Sequence, residues 1–552
     1  MTTKNRMVFF ALMILLILLG FNVSADSPSP SYQRLHQGSK WTPNDWNTFY
    51  SQDQGSFIIP YSWMVALKEA NGQSFLRDSL ARYGYLPNPK SSRNPKSLPV
   101  GFLVANPRAL TPQFSMTCAA CHTRQITVNN INYRVDGGPA FSDMYNFLKD
   151  LNQAVEYTLS TQQAFIDFQE AVQLQKPASV TRTQLAAWHL PYNTLISNSL
   201  TQTTEPWGIG RADALTMIGN RTNGLDIGTL DNVHLIPQNI HPANIPVRFP
   251  FLWNVGKQDR TQWAGTAVNG NKSYGLRRNA SQTTGVFGIL YPQANPSMTN
   301  GYDFLKVNSL NYSGLLNAEK LINKIGPPKW PWSIDRKKAA RGKLLYTATC
   351  GPGCHEIKRG EARPPVTHTW LTPVINVGTD NKYYEAFSQK TVSSGLLSGF
   401  TNPIDPFAPL VPSTDTESLA LTGILNDSAL IQKYPDISLS LSAPASTTGA
   451  AFESRVLQGV WAAPPFLHNG SVRSLAELLK PAALRVQSFQ VGPKYDIVNL
   501  GLATEQPSES SSLLVTSDCL DLNSGNSNCG HEFGTNLSPT EKADLLEYLK
   551  TL

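Results

Sequence analysis

Two cysteine pairs, each followed at once by a histidine, constrain this chain more than any other feature: Cys118-Ala-Ala-Cys121-His122 and Cys350-Gly-Pro-Gly-Cys354-His355. A segment that must present two thiols and an imidazole to one body has little freedom in how it folds. Such a segment can hold a c-type haem, the sulfurs bonding the porphyrin and the imidazole binding iron from one face. The second pair is separated by three residues where two are usual. Gly351, Pro352 and Gly353 are turn formers, so the extra residue can loop out and leave both thiols in reach. Other readings fit less well. Zinc needs about four ligands, and no second C-x-x-C is present. A redox dithiol gives His122 no role, and a disulfide between Cys350 and Cys354 would close a strained loop. The expected cofactors are two covalently bound c-type haems with their iron. Cys118, Cys121, Cys350 and Cys354 attach them, and His122 and His355 are axial ligands.

Lys4 and Arg6 precede an apolar stretch from Met7 to Phe21, and Val23-Ser24-Ala25 fits a small-residue cleavage site. Residues 1–25 therefore read as a signal peptide, too short for a comfortable membrane span. The expected location is periplasmic or secreted, with no stable membrane span once the signal is removed. Export agrees with the haem reading, because c-type haem is attached outside the bacterial cytoplasm. In such a compartment Cys519 and Cys529, the remaining cysteines, are expected to form a disulfide. Lys and Arg number 46 against 39 Asp and Glu, a surplus of +7 with no basic block. This pattern gives no sign of nucleic-acid binding. Charged residues make up 15% of the chain and hydrophobic ones 41%, enough apolar material for sizeable cores.

The chain divides in this reading at Gly326-Pro327-Pro328. Residues 26–326 form an N-terminal haem c domain with large insertions, and 327–552 a C-terminal haem c domain. Helices are expected over 61–84, over 139–175 and in the run before Cys350. Ser538-Pro539-Thr540-Glu541 is a capping box that starts a terminal helix. Residues 401–450, rich in Pro, Ser, Thr and Asp, read as a surface excursion. Strand signals are few and short. The expected fold class is mainly α: two cytochrome c-type haem domains with long loop-rich additions and little strand.

The sixth iron ligand decides whether a haem carries electrons or performs chemistry. The last methionine is Met298, so the C-terminal half offers only His368, His468 and His531. His468 lies in GVWAAPPFLHNGSVRSLAELL, where prolines and Asn-Gly fix a loop, and it is the expected partner of His355. His531, in GHEFG, is expected to support the fold, and His368 is a reserve. For the first haem, Met116 is too close to Cys118 to reach the opposite face. His189, His234 and His241 stand as distant alternatives. The first haem is therefore expected to be the open, reactive one.

A set of local motifs runs along the chain: LPVGF at 98–102, TCAACHT at 117–123, VDGGPAFSD at 135–143, GIGRADA at 208–214, LWNV at 252–255, RGKLLY before the second site, VGTD at 377–380, the His468 segment, and GHEFG followed by the terminal helix. In content and order these resemble the di-haem cytochrome c peroxidase superfamily, and most closely the branch of RoxA-like rubber oxygenases. The resemblance implies two facing cytochrome c domains with an aromatic bridge between the haems, for which Trp253 and Trp263 are candidates. It also implies His468 as the distal ligand of the second haem, and Arg277, Arg278 and Asn279 near the propionates. Two departures stand out. A distal histidine soon after the first motif and a methionine on the second haem are both missing, which favours an oxygenase-like activity over plain peroxide reduction. The implied function is an exported di-haem oxidoreductase. Haem 1 activates a small-molecule oxidant, peroxide or O2, and haem 2 relays electrons, which a small electron-donor protein can supply. Alternatives are a dioxygenase that cleaves a hydrophobic olefin and a non-catalytic electron-transfer cytochrome. A non-haem secreted binding protein would require both motifs to be accidental.

Overall fold

The first cysteine–histidine motif lies between two β-hairpins in the computed structural model of this chain. The structure describes residues 32–106, 108–175, 178–203, 206–225, 227, 235–298, 301–363, 368–384, 390–398, 401–402, 405–406, 410–412, 428–434 and 450–552. The expected signal peptide, His234 and most of 401–450 lie outside the described residues.

Strand β1 (Phe102–Ala105) pairs antiparallel with β2 (Gln113–Met116). The chain then turns through α1 (Cys118–Cys121), a single helical turn whose N-cap Thr117 accepts a hydrogen bond from the Ala119 amide. Gly101 makes this turn possible. Its φ is +83°, and a Cβ there would sit 2.1 Å from the Ala120 nitrogen. After His122 the chain leaves as β3 (Thr123–Val128), which pairs along its whole length with β4 (Ile131–Asp136). Asn129 and Asn130 connect them at φ +49° and +62°, the paired left-handed conformation that tight hairpin turns need and asparagine tolerates. On β3, Arg124, Ile126 and Val128 alternate inward, the period of two that a half-buried strand requires.

The helix expected over 139–175 is two, α2 (Met144–Ser160) and α3 (Gln162–Gln173). Thr161 ends one and caps the next, accepting from the Ala164 amide. The helix expected over 61–84 is likewise broken into Tyr61–Ala66 and a short 3-10 segment, Arg77–Tyr83. Gly72, at φ +80° between them, cannot continue a helix. Further on, α4 (Lys272–Gly285) packs on α5 (Tyr312–Ile322), with Leu276, Ala280 and Leu315 buried between them.

The second motif follows α6 (Arg336–Thr349), which Asp335 caps through the Lys337 and Lys338 amides. The terminal helix α7 (Pro539–Leu549) begins with the expected capping box of Ser538 and Glu541. These two helices cross at Gly342, where a Cβ would lie 1.9 Å from the Asp544 carbonyl oxygen. Beside the crossing, Arg341 holds the Asp544 carboxylate with two hydrogen bonds of 2.6 and 2.7 Å. In an exposed helix Gly→Ala is stabilising. Here Gly342→Ala should instead cost about 1–3 kcal/mol, because the helices must separate. A lower thermal midpoint in calorimetry checks this, and an unchanged or raised one refutes it.

The expectation of a mainly α molecule with little strand is corrected. The structure is 37% helical and 16% strand, with the strands in many small sheets. Many are two to six residues long and pair as ribbons, because Gly, Pro and Asn interrupt each alternating run before a sheet can widen. Gln33–Leu552 forms one unit. The proposed boundary is tied from both sides, the Gly326 amide donating to the Gln37 carbonyl at 2.9 Å and the Trp461 indole to the Pro328 carbonyl at 3.1 Å. Two large cores meet at the first motif: Ala120 belongs to the one around Phe102, Phe114 and Phe147, and Ala119 to the one around Phe251, Trp253 and Trp461.

Candidate functional site

The two motifs share one backbone device despite their different spacing. In the first, the His122 amide donates to the carbonyl of the leading cysteine, Cys118, at 2.9 Å. In the second, the His355 amide donates to the carbonyl of the leading cysteine, Cys350, at 3.2 Å. The first bond spans four residues, an ordinary α-turn, and the second spans five. Pro352 and Gly353 leave helical geometry, with Gly353 at φ +73°, and absorb the extra residue in a wide turn of the kind often found at functional sites. Each histidine thus keeps the same relation to the first cysteine of its pair.

The imidazoles are also held alike. His122 donates through Nδ1 to the Pro250 carbonyl at 2.9 Å, and His355 through Nδ1 to the Arg455 carbonyl at 2.7 Å. Such a bond fixes the tautomer and leaves Nε2 as the free, basic nitrogen, as metal-binding histidines require. Burial pushes the His122 pKa down to about 4 and lowers that of His355, so both rings are neutral at pH 7. The four motif cysteines are free thiols. Burial, then Cys118, pushes the Cys121 thiol up to about 12. Burial, then Cys354, pushes Cys350 up to about 11. Protonated thiols of this kind are poor redox nucleophiles. A covalent haem satisfies these residues: two reduced thiols and one Nε2 at each site, with the other ring nitrogen already bonded. The expected disulfide forms between Cys519 and Cys529, Cα atoms 5.2 Å apart.

Cys118, Cys121 and His122 open on a cavity whose wall is largely apolar, including Trp207, Ile218, Phe249, Phe251 and Val255. Met116, Met144 and Met217 also face it. The methionine argument from sequence weighed only the first of these sulfurs. Arg278 and Asn279 of α4 line the cavity as the resemblance implied, whereas Arg277 is not among the lining residues. Arg278 is ion-paired with Glu319. His189 instead bonds Asn152 at 3.0 Å, and His241 is also absent from the cavity wall.

Trp263 lines the cavity, its indole donating to the Arg248 carbonyl at 3.0 Å. Trp253 lies behind it, stacked on Phe251 with ring centroids 4.6 Å apart and bonded to the Gln458 carbonyl at 2.7 Å. His468 is buried on a firmly held loop. Arg124 donates to the Ala462 and Pro464 carbonyls, Arg248 to those of Ala463 and Leu467, and Arg211 to that of Asn469. The His468 ring stacks on Phe452, centroids 3.8 Å apart. The ring beside His355 is that of His531, at 6.2 Å between centroids. His531 has φ +51°, a strained conformation for a non-glycine residue, and its buried Nδ1 has no hydrogen-bond partner. His368 accompanies neither motif: it sits against Arg359, largely at the surface.

Sequence reasoning missed two residues of this site. Glu453 and Arg455 both line the cavity and are buried. Burial pushes the Glu453 carboxyl up to about 7, although Arg455 pulls it down. Gln258 donates to Glu453 Oε1 at 2.7 Å. Nothing in the string AFESRV marks these side chains as inward-facing.

Residues 451–490 match a family model described as RoxA-like, cytochrome c-like. The matched stretch contains Glu453, Arg455 and His468 and ends before His531. The chain is also similar to a protein of Sinorhizobium fredii described as uncharacterized protein y4iJ, 27% identical over 95% of this chain and 94% of that protein. A second S. fredii protein, uncharacterized protein y4iM, is 23% identical over 55% of this chain and 63% of its own length. These similarities support a RoxA-like cytochrome c stretch that binds haem c. Among the described residues no helix is long and apolar enough to cross a membrane.

Proposed function

We propose that this chain is an exported di-haem c-type oxidoreductase, with the Cys118–His122 site activating peroxide or O2 and the Cys350–His355 site relaying electrons. The observation that carries it is the shared geometry: in both motifs the histidine amide bonds the first cysteine's carbonyl while Nδ1 bonds a backbone carbonyl. Haem held at these residues supplies one-electron redox chemistry and an iron site for a small oxidant. The protein's part is positioning and proton handling. Pro250 and Arg455 orient the two imidazoles through their carbonyls. Trp207, Ile218, Phe249 and Val255 exclude water from the first site, which suits an apolar substrate and keeps an olefin-cleaving dioxygenase as one form of the proposal. At the second site His531, whose ring lies 6.2 Å from that of His355, is taken as the proposed partner, with His468 as the alternative ligand. Trp253 and Trp263 remain the aromatic candidates for electron transfer, and a small electron-donor protein is the proposed partner if peroxide is the oxidant.

Glu453 is the one buried carboxyl among the cavity-lining residues named above with its pKa moved to near neutrality, so it can hold or release a proton at its carboxylate oxygens near pH 7. Its protonated form predominates below about 7, so turnover that needs this proton declines as pH rises through 7. Glu453→Gln should lower kcat by about 10²-fold or more and remove that alkaline limb. A kcat–pH profile with the limb intact refutes the role.

Visible spectra of the purified protein, oxidised and reduced, with and without CO, test the function itself. Two haems by pyridine haemochrome with one binding CO support it. A second reading, a pure electron carrier, draws on Met144 and Met217 at the cavity wall, whose sulfurs are of the type that fills a sixth position. Two haems with no CO shift would favour it.

A further inference from the structure

We infer that Arg455 is the positioning residue that couples the two cysteine–histidine sites, carrying both the electron path and the electrostatic influence between them. The inference rests on the di-haem reading above. Arg455 touches both sites through different atoms. Its carbonyl accepts from His355 Nδ1 at 2.7 Å. Its guanidinium donates to the Phe251 carbonyl at 3.0 Å. The carbonyl one residue earlier, that of Pro250, accepts from His122 Nδ1 at 2.9 Å. One imidazole is therefore joined to the other by hydrogen bonds and covalent bonds alone, through the Pro250–Phe251 segment and Arg455. Electrons tunnel better along such bonded routes than across van der Waals gaps.

The two tryptophans do not offer an equivalent route. The Trp253 indole donates to Gln458 and the Trp263 indole to Arg248, so neither bonds the chain that links the histidines. Trp253 reaches it only by stacking on Phe251.

The charge of Arg455 points the same way. Its side chain is 7% exposed, and its nearest carboxylate contact, Glu453 to Nε, is 3.8 Å. Nε has no hydrogen bond, and the guanidinium carbon lies 4.1 Å from the Phe251 ring centroid. A buried, loosely paired cation is costly to maintain. Beside two redox sites it favours whichever state carries the extra electron, and low local polarity strengthens that effect. With a haem held at each site, one electron would pass from the reduced site to the oxidised one. No bond forms or breaks, and no proton has to move.

The test uses the full-length holoprotein. Haem is first counted by pyridine haemochrome. Fewer than two haems in the wild type defeats the di-haem reading, and this inference with it, whatever the variants do. With two haems present, one electron is injected by a pulse of photoreduced flavin and its redistribution is followed optically. Both midpoint potentials are measured by spectroelectrochemistry. Arg455→Gln should slow redistribution about tenfold and lower both potentials. Arg455→Lys should recover the potentials but not the rate, because it keeps the charge and loses the planar fork. A purely structural role would change haem content or thermal midpoint and leave potentials alone. Redistribution in Arg455→Gln within about threefold of wild type overturns the inference. If that variant loses haem, the rate in Arg455→Lys decides by the same limits.

Discussion

A chain with both Cys350 and Cys354 replaced by alanine is expected to purify with half the covalent haem of the wild type. The thiols at this site are free, and the wide turn brings His355 into the same relation to Cys350 that His122 has to Cys118. The site is only half-buried, so without thioether bonds the imidazole alone should not retain the porphyrin through purification. Pyridine haemochrome measures the ratio directly, and an unchanged haem content would refute the second site. Single variants made in the chain that keeps all four motif cysteines discriminate between the two candidate partners of His355. His531→Gly should open the second haem to CO, since the His531 ring lies 6.2 Å from that of His355. His468→Gln should leave the second haem closed to CO, because the His468 ring is engaged with Phe452 at 3.8 Å. The reverse pattern restores the assignment of His468 drawn from the sequence.

Arg124→Met should destabilise the folded chain by about 3–5 kcal/mol. Arg124 is 1% exposed. It donates to the Pro139 carbonyl at 2.7 Å, the Ala462 carbonyl at 3.0 Å and the Pro464 carbonyl. Its ring contact with Phe141, at 4.1 Å, is one that an apolar side chain could partly replace. Burial, and then Arg248, push its pKa down, so the charge itself is a cost that the substitution removes. The deciding quantity is the set of acceptors left behind. Each buried carbonyl without a donor costs about 1–3 kcal/mol, and methionine donates to none of them. The loss should also loosen the loop that holds His468. Denaturant titration gives the energy, and hydrogen exchange at 460–470 should rise with it. A change under about 1 kcal/mol would show that the loop is fixed without Arg124.

The parts of this molecule that were legible in its sequence are those set by local chemistry. The capping box at Ser538, the helix that delivers Cys350 and the Cys519–Cys529 disulfide appear as expected. What was misread depends on partners far along the chain. The hairpin from Thr123 to Asp136 carried its own signal, alternation about Asn129-Asn130, but it was overlooked beside a motif that suggested helices. GHEFG carries no local sign of the nearness of the His531 ring to that of His355, 6.2 Å between centroids, because only long-range packing produces it. Glu453 and Arg455 line the cavity from a two-residue strand, Phe452–Glu453, and the loop after it, too short a stretch to produce any periodicity. The backbone carbonyls of Pro250 and Arg455 have no sequence signature, since every residue has a carbonyl.

The wide turn from Cys350 to His355 has a consequence for how proteins of this kind are counted. The relation between thiol and imidazole is preserved by an amide–carbonyl bond that tolerates one residue more or less, provided glycine and proline absorb the difference. A genome survey keyed to a fixed interval between cysteines would register one cysteine–histidine motif in this chain and pass over the other. Surveys keyed instead to the closing bond would enlarge the inventory of multi-centre cytochromes.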